Sequence, residues 1–280
     1  MFANIERAMS VYSLETEMIL KNKIAVIYGA GGAVGGAVAR AFAREGARLF
    51  LTGRHKPPVE AVAREIIDSA GFAQVSEVDA LDEQAVDKHL QFVIDKESRI
   101  DISFNAVGIP GTKILGVPLV DLDVKQFSLP ITTYTTSYFL IARTAARRMV
   151  ANGSGVIITA TTQHSRMGLP LSGGYGPAMA AEEALTRVLS AELAPHGIRV
   201  VGLRPQAIPE TGTLKEAFEA RAKMSGMTWG QFQDFLASKT HTRRLMTLEE
   251  VANVAVFMAS DLASGMTGTI VNLTMGSLDD

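Results

Sequence analysis

Residues 23–46 read KIAVIYGAGGAVGGAVARAFAREG. The first six, Lys23 to Tyr28, form a near-continuous apolar run, the pattern of a parallel strand buried on both faces. GAGGAVGG, Gly29 to Gly36, follows, and then AVARAFAREG, a helix that stops near Gly46. Strand, glycine loop and helix in that order make a dinucleotide-binding entry. Small residues let the backbone approach a pyrophosphate, and the helix N-terminus offers N–H groups and a positive dipole end to the anion. Gly29, Gly31, Gly32, Val34 and Gly35 are the residues this reading sets against the cofactor.

Outward from this unit, strands and helices alternate. The second strand is ARLFLTGR, and its end bears on the choice of cofactor. A carboxylate there would bind a ribose 2′-hydroxyl and repel a 2′-phosphate. Gly53 and Arg54 stand there instead. A guanidinium suits a phosphate, which favours NADP(H). A helix over 57–70 precedes the third strand, AQVSEVDA, with Asp79 and Ala80 at its tip. Asp79 is placed to bond an adenine edge, or else to end the strand and cap the helix DEQAVDKHLQFVIDKE. The fourth strand and its exit are Ile100–Ile109, where Asn105, Ala106, Val107 and Gly108 are small or turn-forming and let a cofactor lie against them. A loop over 111–125 leads into a long helix, VKQFSLPITTYTTSYFLIARTAARRMV, apolar on a broad face.

The second informative stretch is GVIITATTQHSRMGLPLSGGYGPAMAAEE, residues 155–183. A buried strand ends in the hydroxyl pair Thr161 and Thr162, a Gly/Pro-rich loop follows, and Tyr175 opens an alanine-rich helix that stops at Gly197. Ligands of parallel α/β sheets bind beyond the carboxyl ends of the strands, so Thr162 and Tyr175 bring two hydroxyls to one cleft. His164 on the same loop can exchange protons at neutral pH. IRVVGLRP is a further buried strand. Phe218, Met224, Met227, Trp229, Phe232 and Phe235 then mark either ordinary helical core or, the reading taken, a small lid region around 209–240 over an apolar substrate. Thr247 and Glu250 form a capping box on the next helix, and TGTIVNLTMG is the last strand. The alternation argues for α/β architecture, a single doubly wound parallel sheet flanked by helices over 22–280, preceded by an extension of residues 1–21.

Composition fits this and narrows the partners. The chain has 280 residues, 47% hydrophobic and 20% charged, with net charge -2 and no cysteine. Thiolate catalysis, thiolate metal sites and disulfides are excluded, and no metal site is expected. Nothing marks a nucleic-acid partner or a membrane segment, and a cytoplasmic setting is expected.

With these residues in hand, the chain resembles the short-chain dehydrogenase/reductases over roughly residues 22–277. YGAGGAVGG is similar to that family's TGxxxGxG loop, with Gly29 and Gly35 matching the outer glycines, Ala33 for the middle one and Tyr28 for the threonine. VDA resembles its adenine-contacting DV element and NAVG its NNAG element. IRVVGLRPQAI is similar to IRVNxxxPGxI, with Gln206 for the glycine, and it places Ile208 at the cofactor. The resemblance implies a Rossmann-type fold, a small-molecule substrate, a homodimer or homotetramer, and a catalytic set of Asn, Ser, Tyr and Lys. By position the tyrosine is Tyr175, which also contacts the cofactor, and the serine is Thr162. The lysine position holds Met179 and the asparagine position Tyr134. The enoyl-carrier-protein reductase branch carries its lysine seven residues past the tyrosine, where this chain has Glu182. A thioether neither lowers a phenol's pKa nor donates to ribose hydroxyls.

The expectation is therefore an NADP(H)-dependent reductase with an atypical centre, acting on a carbonyl, imine or conjugated alkene through Tyr175, Thr162 and His164. The alternative is a non-catalytic NADP(H)-binding protein, a sensor or scaffold.

Overall fold

A computed structural model describes residues 18–111, 114–211, 222 and 226–279. In chain order the elements are β1 (Ile24–Tyr28), α1 (Ala33–Arg44), β2 (Arg48–Gly53), α2 (Lys56–Asp68), β3 (Phe72–Glu77), α3 (Glu83–Glu97), β4 (Ile102–Asn105), α4 (Val124–Asn152), β5 (Gly155–Ala160), α5 (Tyr175–Leu193), β6 (Ile198–Pro205), α6 (Trp229–Ser238), α7 (Leu248–Ala259) and β7 (Ile270–Leu273). The strands form one seven-stranded sheet in the order β3-β2-β1-β4-β5-β6-β7, and every pairing is parallel. The sheet is doubly wound, as the alternation of elements predicts. The chain reverses its direction of travel between β1 and β4, the place where such sheets open a cleft.

The strands bury both faces, so their side chains feed two cores. Ala25, Ile27, Ile102 and Phe104 pack toward α1, α2 and α7. Ile24, Val26 and Tyr28 pack on the other side, with α3 and α4. Register sets Tyr28 beside Asn105 and Asn105 beside Thr159. Alternation thus aims a row of polar side chains into the second layer, directly behind the cleft.

Local chemistry explains the element ends, with some departures from the sequence expectation. α1 begins at Ala33, four residues before the expected start, so Gly35 and Gly36 lie inside the helix. The reason is tertiary. A Cβ on Gly35 would stand 2.4 Å from the Gly29 carbonyl oxygen, and one on Gly29 only 2.3 Å from that of Ala106. Glycine costs a helix about 1 kcal/mol against alanine, but only glycine lets α1 approach the strand ends this closely. β3 stops at Glu77, so the capping role considered for Asp79 falls instead to Asp82, whose carboxylate accepts from the Gln84 and Ala85 N–H groups. The capping box of Thr247 and Glu250 is present on α7.

The body of the domain starts before position 22. Leu20 is fully buried in the first core, tied down by its N–H to the Glu45 carbonyl. In the region expected to form a lid, Phe232 packs with Ala207 and Ala222, joined by Met227, Trp229 and Leu236. Phe235 stays exposed, and Phe218 and Met224 lie outside the described residues. Among the described residues no helix is long and apolar enough to cross a membrane.

Candidate active site

The cleft at the reversal point is lined by Tyr28, Gly29, Thr52, Gly53, Arg54, Val78, Asp79, Ala80, Leu81, Val107, Gly108 and Thr133. Six of the residues expected at a cofactor are in this lining: Gly29, Arg54, Asp79, Ala80, Val107 and Gly108. The residues fit a dinucleotide. Gly32 is the N-cap of α1 without any side-chain cap, and the first turn holds no acidic residue. The first N–H groups of α1 are therefore left for an anion. Gly31 packs on Pro58 at the start of α2, where a Cβ would stand 2.8 Å from the proline's own. Val34 packs against the first core. Asp79 accepts from the Leu81 N–H (3.0 Å) through one oxygen.

Two expected cofactor residues are turned elsewhere. Asn105 is buried, and its Nδ2 donates to Thr159 Oγ1 (3.1 Å) and Glu182 Oε1 (3.3 Å). Its Oδ1 accepts from the Val107 N–H (3.2 Å). Its side chain thus faces the sheet's second layer, as strand alternation requires. Ile208 is buried in the first core. Ala106, between Asn105 and the cleft residue Val107, presents its carbonyl to Gly29.

The hydroxyls of the opposite wall come from β5 and α5. Consecutive residues of an extended chain point opposite ways, and this separates the threonine pair. Thr161 turns inward, donating to Glu183 Oε1 and the Leu203 carbonyl, both at 3.2 Å. Thr162 turns to the site. Its Oγ1 accepts from the His164 N–H (3.3 Å) and lies 3.2 Å from His164 Nδ1. Tyr175 is the first residue of α5. The glycine pair before it sets its place. Gly173 has φ +51, and a Cβ on Gly174 would stand 2.0 Å from the Phe127 carbonyl oxygen of α4. The start of α5 is thereby pressed onto α4.

Three groups surround the Tyr175 ring. His164 meets it edge-on, with ring centroids 5.1 Å apart. Tyr134 of α4 lies 5.6 Å away. The Thr162 and Tyr134 hydroxyls both bear on the acidity of Tyr175, and Tyr134 Oη accepts from the Ile109 N–H (3.2 Å). Two phenols, a threonine and an imidazole thus gather beside the β4 exit. All three sequence-expected catalytic residues are together. The structure adds Tyr134, which the sequence shows only as a missing asparagine.

The surroundings are apolar. Ile114, Tyr134, Tyr175, Ala178 and Met179 form one buried cluster, with Ile109, Leu115 and Ile131 against it. Met179, at the lysine position, is 1% exposed. Burial pushes the Tyr175 phenol well above its ordinary value, the phenol of Tyr134 adds to this, and the Thr162 hydrogen bond opposes it. Burial likewise pushes Tyr134 up to about 12, against the pull of the Ile109 N–H. Both phenols are neutral acids at pH 7. Glu182 is fully buried behind them, and burial holds its carboxyl well above the usual carboxylate range, partly offset by the Asn105 bond.

Known proteins agree with this architecture. A family model described as enoyl-(acyl carrier protein) reductase matches residues 29–277. The chain is 28% identical to a 7alpha-hydroxysteroid dehydrogenase of Escherichia coli (strain K12), across 93% of this chain and 96% of the relative. A gluconate 5-dehydrogenase from Burkholderia cenocepacia J2315, solved with NADP and tartrate, superposes with TM-score 0.81 at 25% identity, covering 93% of this chain and 97% of that one. An NAD+-bound xylitol dehydrogenase superposes at 0.85 with 24% identity, covering 92% and 99%. The fold, the cleft and these matches agree: the chain belongs to the short-chain dehydrogenase/reductase family, oxidoreductases built around a nicotinamide dinucleotide.

Proposed function

We propose that this protein is an NADP(H)-dependent reductase of a polarised carbonyl, imine or conjugated alkene, in which Tyr175 acts as the acid. The observation that carries this reading is the buried Tyr175 phenol, bracketed by Thr162, Tyr134 and His164 with no ammonium at Met179. When bound, the cofactor supplies hydride from C4 of its nicotinamide. Gly29, Gly31, Gly32, Val34 and Gly35 form its pyrophosphate cradle. Arg54 holds the 2′-phosphate, Asp79 and Ala80 the adenine, and Ala106 to Gly108 line the rest, with Asn105 and Ile208 buried behind that wall.

Tyr175 donates its proton to the substrate atom that gains negative charge. Thr162 orients that atom. His164, 3.2 Å from the threonine oxygen, returns a proton through Thr162. A phenol this reluctant to ionise stays protonated near pH 7, so it carries the proton a reduction needs, while the phenolate that alcohol oxidation needs is scarce. Apolar walls at Ile109, Ile114 and Leu115 favour an apolar substrate, with α6 as part of its lid. The exposed Phe139 and Val188 on α4 and α5 support a homo-oligomer joined through these helices.

The test is turnover of NADPH by purified protein across a carbonyl, imine and enone panel. Tyr175→Phe should lose about 10²- to 10⁴-fold in rate. His164→Ala should slow turnover and spare NADPH binding, and unchanged rates would remove His164 from the scheme. Arg54→Ala should raise KM for NADPH about tenfold or more and leave NADH unaffected. Met179→Lys should lower the phenol's pKa and speed the reverse oxidation. Tight NADPH binding with no turnover on any substrate, unaltered by Tyr175→Phe, would replace this reading with a non-catalytic NADP(H)-binding protein.

A further inference from the structure

We propose that Glu182 is a positioning residue of the reaction centre: through Asn105 it fixes the exit of β4, and through that exit the phenols of Tyr134 and Tyr175. The inference rests on the reductase reading for its kinetic consequence only.

Glu182 lies on α5 and is 0% exposed. A Leu or Val there would fill the space against the sheet without desolvating a carboxyl group. Instead the chain buries a carboxyl group whose Oε2 has no partner among the described residues. Such a group costs stability, so its presence calls for a reason. Its one side-chain bond supplies that reason. Oε1 accepts from Asn105 Nδ2 (3.3 Å), whose second hydrogen goes to Thr159 Oγ1 (3.1 Å). With both amide hydrogens committed, the Asn105 side chain cannot turn over, and its Oδ1 is held toward the Val107 N–H (3.2 Å).

That bond shapes the turn after β4. The Ala106 carbonyl lies against Gly29, and two residues past Val107 the Ile109 N–H donates to Tyr134 Oη (3.2 Å). The Tyr134 ring in turn packs against that of Tyr175, with centroids 5.6 Å apart. A second path starts from the same residue. The Glu182 carbonyl accepts from Thr186 Oγ1 (2.9 Å), which pairs with Tyr138 Oη (3.0 Å). The Glu182 side chain thus holds the β4 exit, while its backbone carbonyl, which any residue there would keep, carries the link to α4. What the role needs is an oxygen acceptor at Oε1, not a negative charge. A glutamine supplies it, whereas a leucine leaves one Asn105 hydrogen buried without an acceptor.

The experiment compares Glu182→Gln and Glu182→Leu with the unmodified protein in the full chain. Kinetics with NADPH are measured together with amide hydrogen exchange at Val107 and Ile109. Glu182→Leu should cut kcat about tenfold or more, because misplaced reacting groups act on the chemical step. NADPH KM should rise by a smaller factor than kcat falls, and exchange at the two amides should quicken. Glu182→Gln should restore kcat to within about threefold and restore slow exchange. Should Glu182→Leu fail to fold, Glu182→Ala replaces it. Equal kcat and equal exchange in Glu182→Leu would overturn the proposal while leaving the reductase reading intact. A Glu182→Gln variant as slow and as open as Glu182→Leu would also overturn it. If the unmodified protein turns over no substrate, the reductase reading falls, and the exchange data alone decide the role of Glu182.

Discussion

Glu182 and Glu183 are neighbours on α5, both almost wholly buried, and they solve opposite problems. Successive residues of a helix point about 100° apart. Glu183 therefore meets β6 and the loop after β5. Arg204 grips it through two bonds of 2.8 and 2.9 Å, with Thr161 and Ser165 completing the shell. Glu182 meets Asn105 of β4 instead, and among the described residues no cation faces it and only Asn105 donates to its carboxyl. One glutamate is paired with a guanidinium, and the other is held toward its neutral form by burial. The sheet order decides which, because β6 and β4 lie on opposite sides of β5.

The largest effect should come from splitting the pair. Arg204→Met alone leaves a buried carboxylate uncompensated and should cost about 3–5 kcal/mol in denaturant unfolding, while Glu183→Leu added to it should recover most of the loss. A cost below about 1 kcal/mol would erase the distinction between the glutamates.

A buried base sharpens it from the other direction. Neither ring nitrogen of His89 has a partner among the described residues, and burial lowers its pKa from 6.5 to about 4. The unfolded chain takes up this proton below 6.5 and the folded one only below about 4, so stability is lost as pH falls through that window, by about 3 kcal/mol in total. His89→Leu should flatten this limb of a stability-against-pH curve, and a curve with its acid limb unchanged would show that His89 does not stay neutral.

A third test concerns Glu182. Its pKa is raised, so the unfolded chain releases the proton above about 4.5 while the folded one keeps it. Stability then declines as pH rises from there toward the folded pKa, by at most about 1.4 kcal/mol per pH unit. Glu182→Gln should lack this decline. Parallel curves for the two proteins between pH 5 and 8 would mean that Glu182 is ionised in the fold.

What the sequence disclosed is local. Gly29 to Gly35, the order of strands and helices, and the capping box of Thr247 and Glu250 are legible because neighbours in the chain determine them. The meeting of Thr162, His164 and Tyr175 is legible too, since one loop carries them. Less legible is whatever depends on a distant surface. Thr161 and Thr162 look alike in the sequence, but only the structure shows Leu203 and Glu183 receiving the first. Tyr134 counts as a lost asparagine until α4 is laid against α5, when its phenol arrives where an amide was expected. Asn105 is expected at the cofactor because its strand end is there, and it turns inward because register sets it beside Thr159.

The register of β1 with β4 has a consequence for how the protein is made. Ala25 pairs with Ile102 and Tyr28 with Asn105, so the two strands that flank the cleft are separated by β2, β3 and three helices. Contacts this far apart in the chain close slowly and late. During synthesis from the N-terminus, α1 and β2 can pack as soon as they emerge, but the dinucleotide cleft has no second wall until Gly108 has left the ribosome. A nascent chain shorter than that carries the glycine loop and Arg54 without the cleft to hold a cofactor.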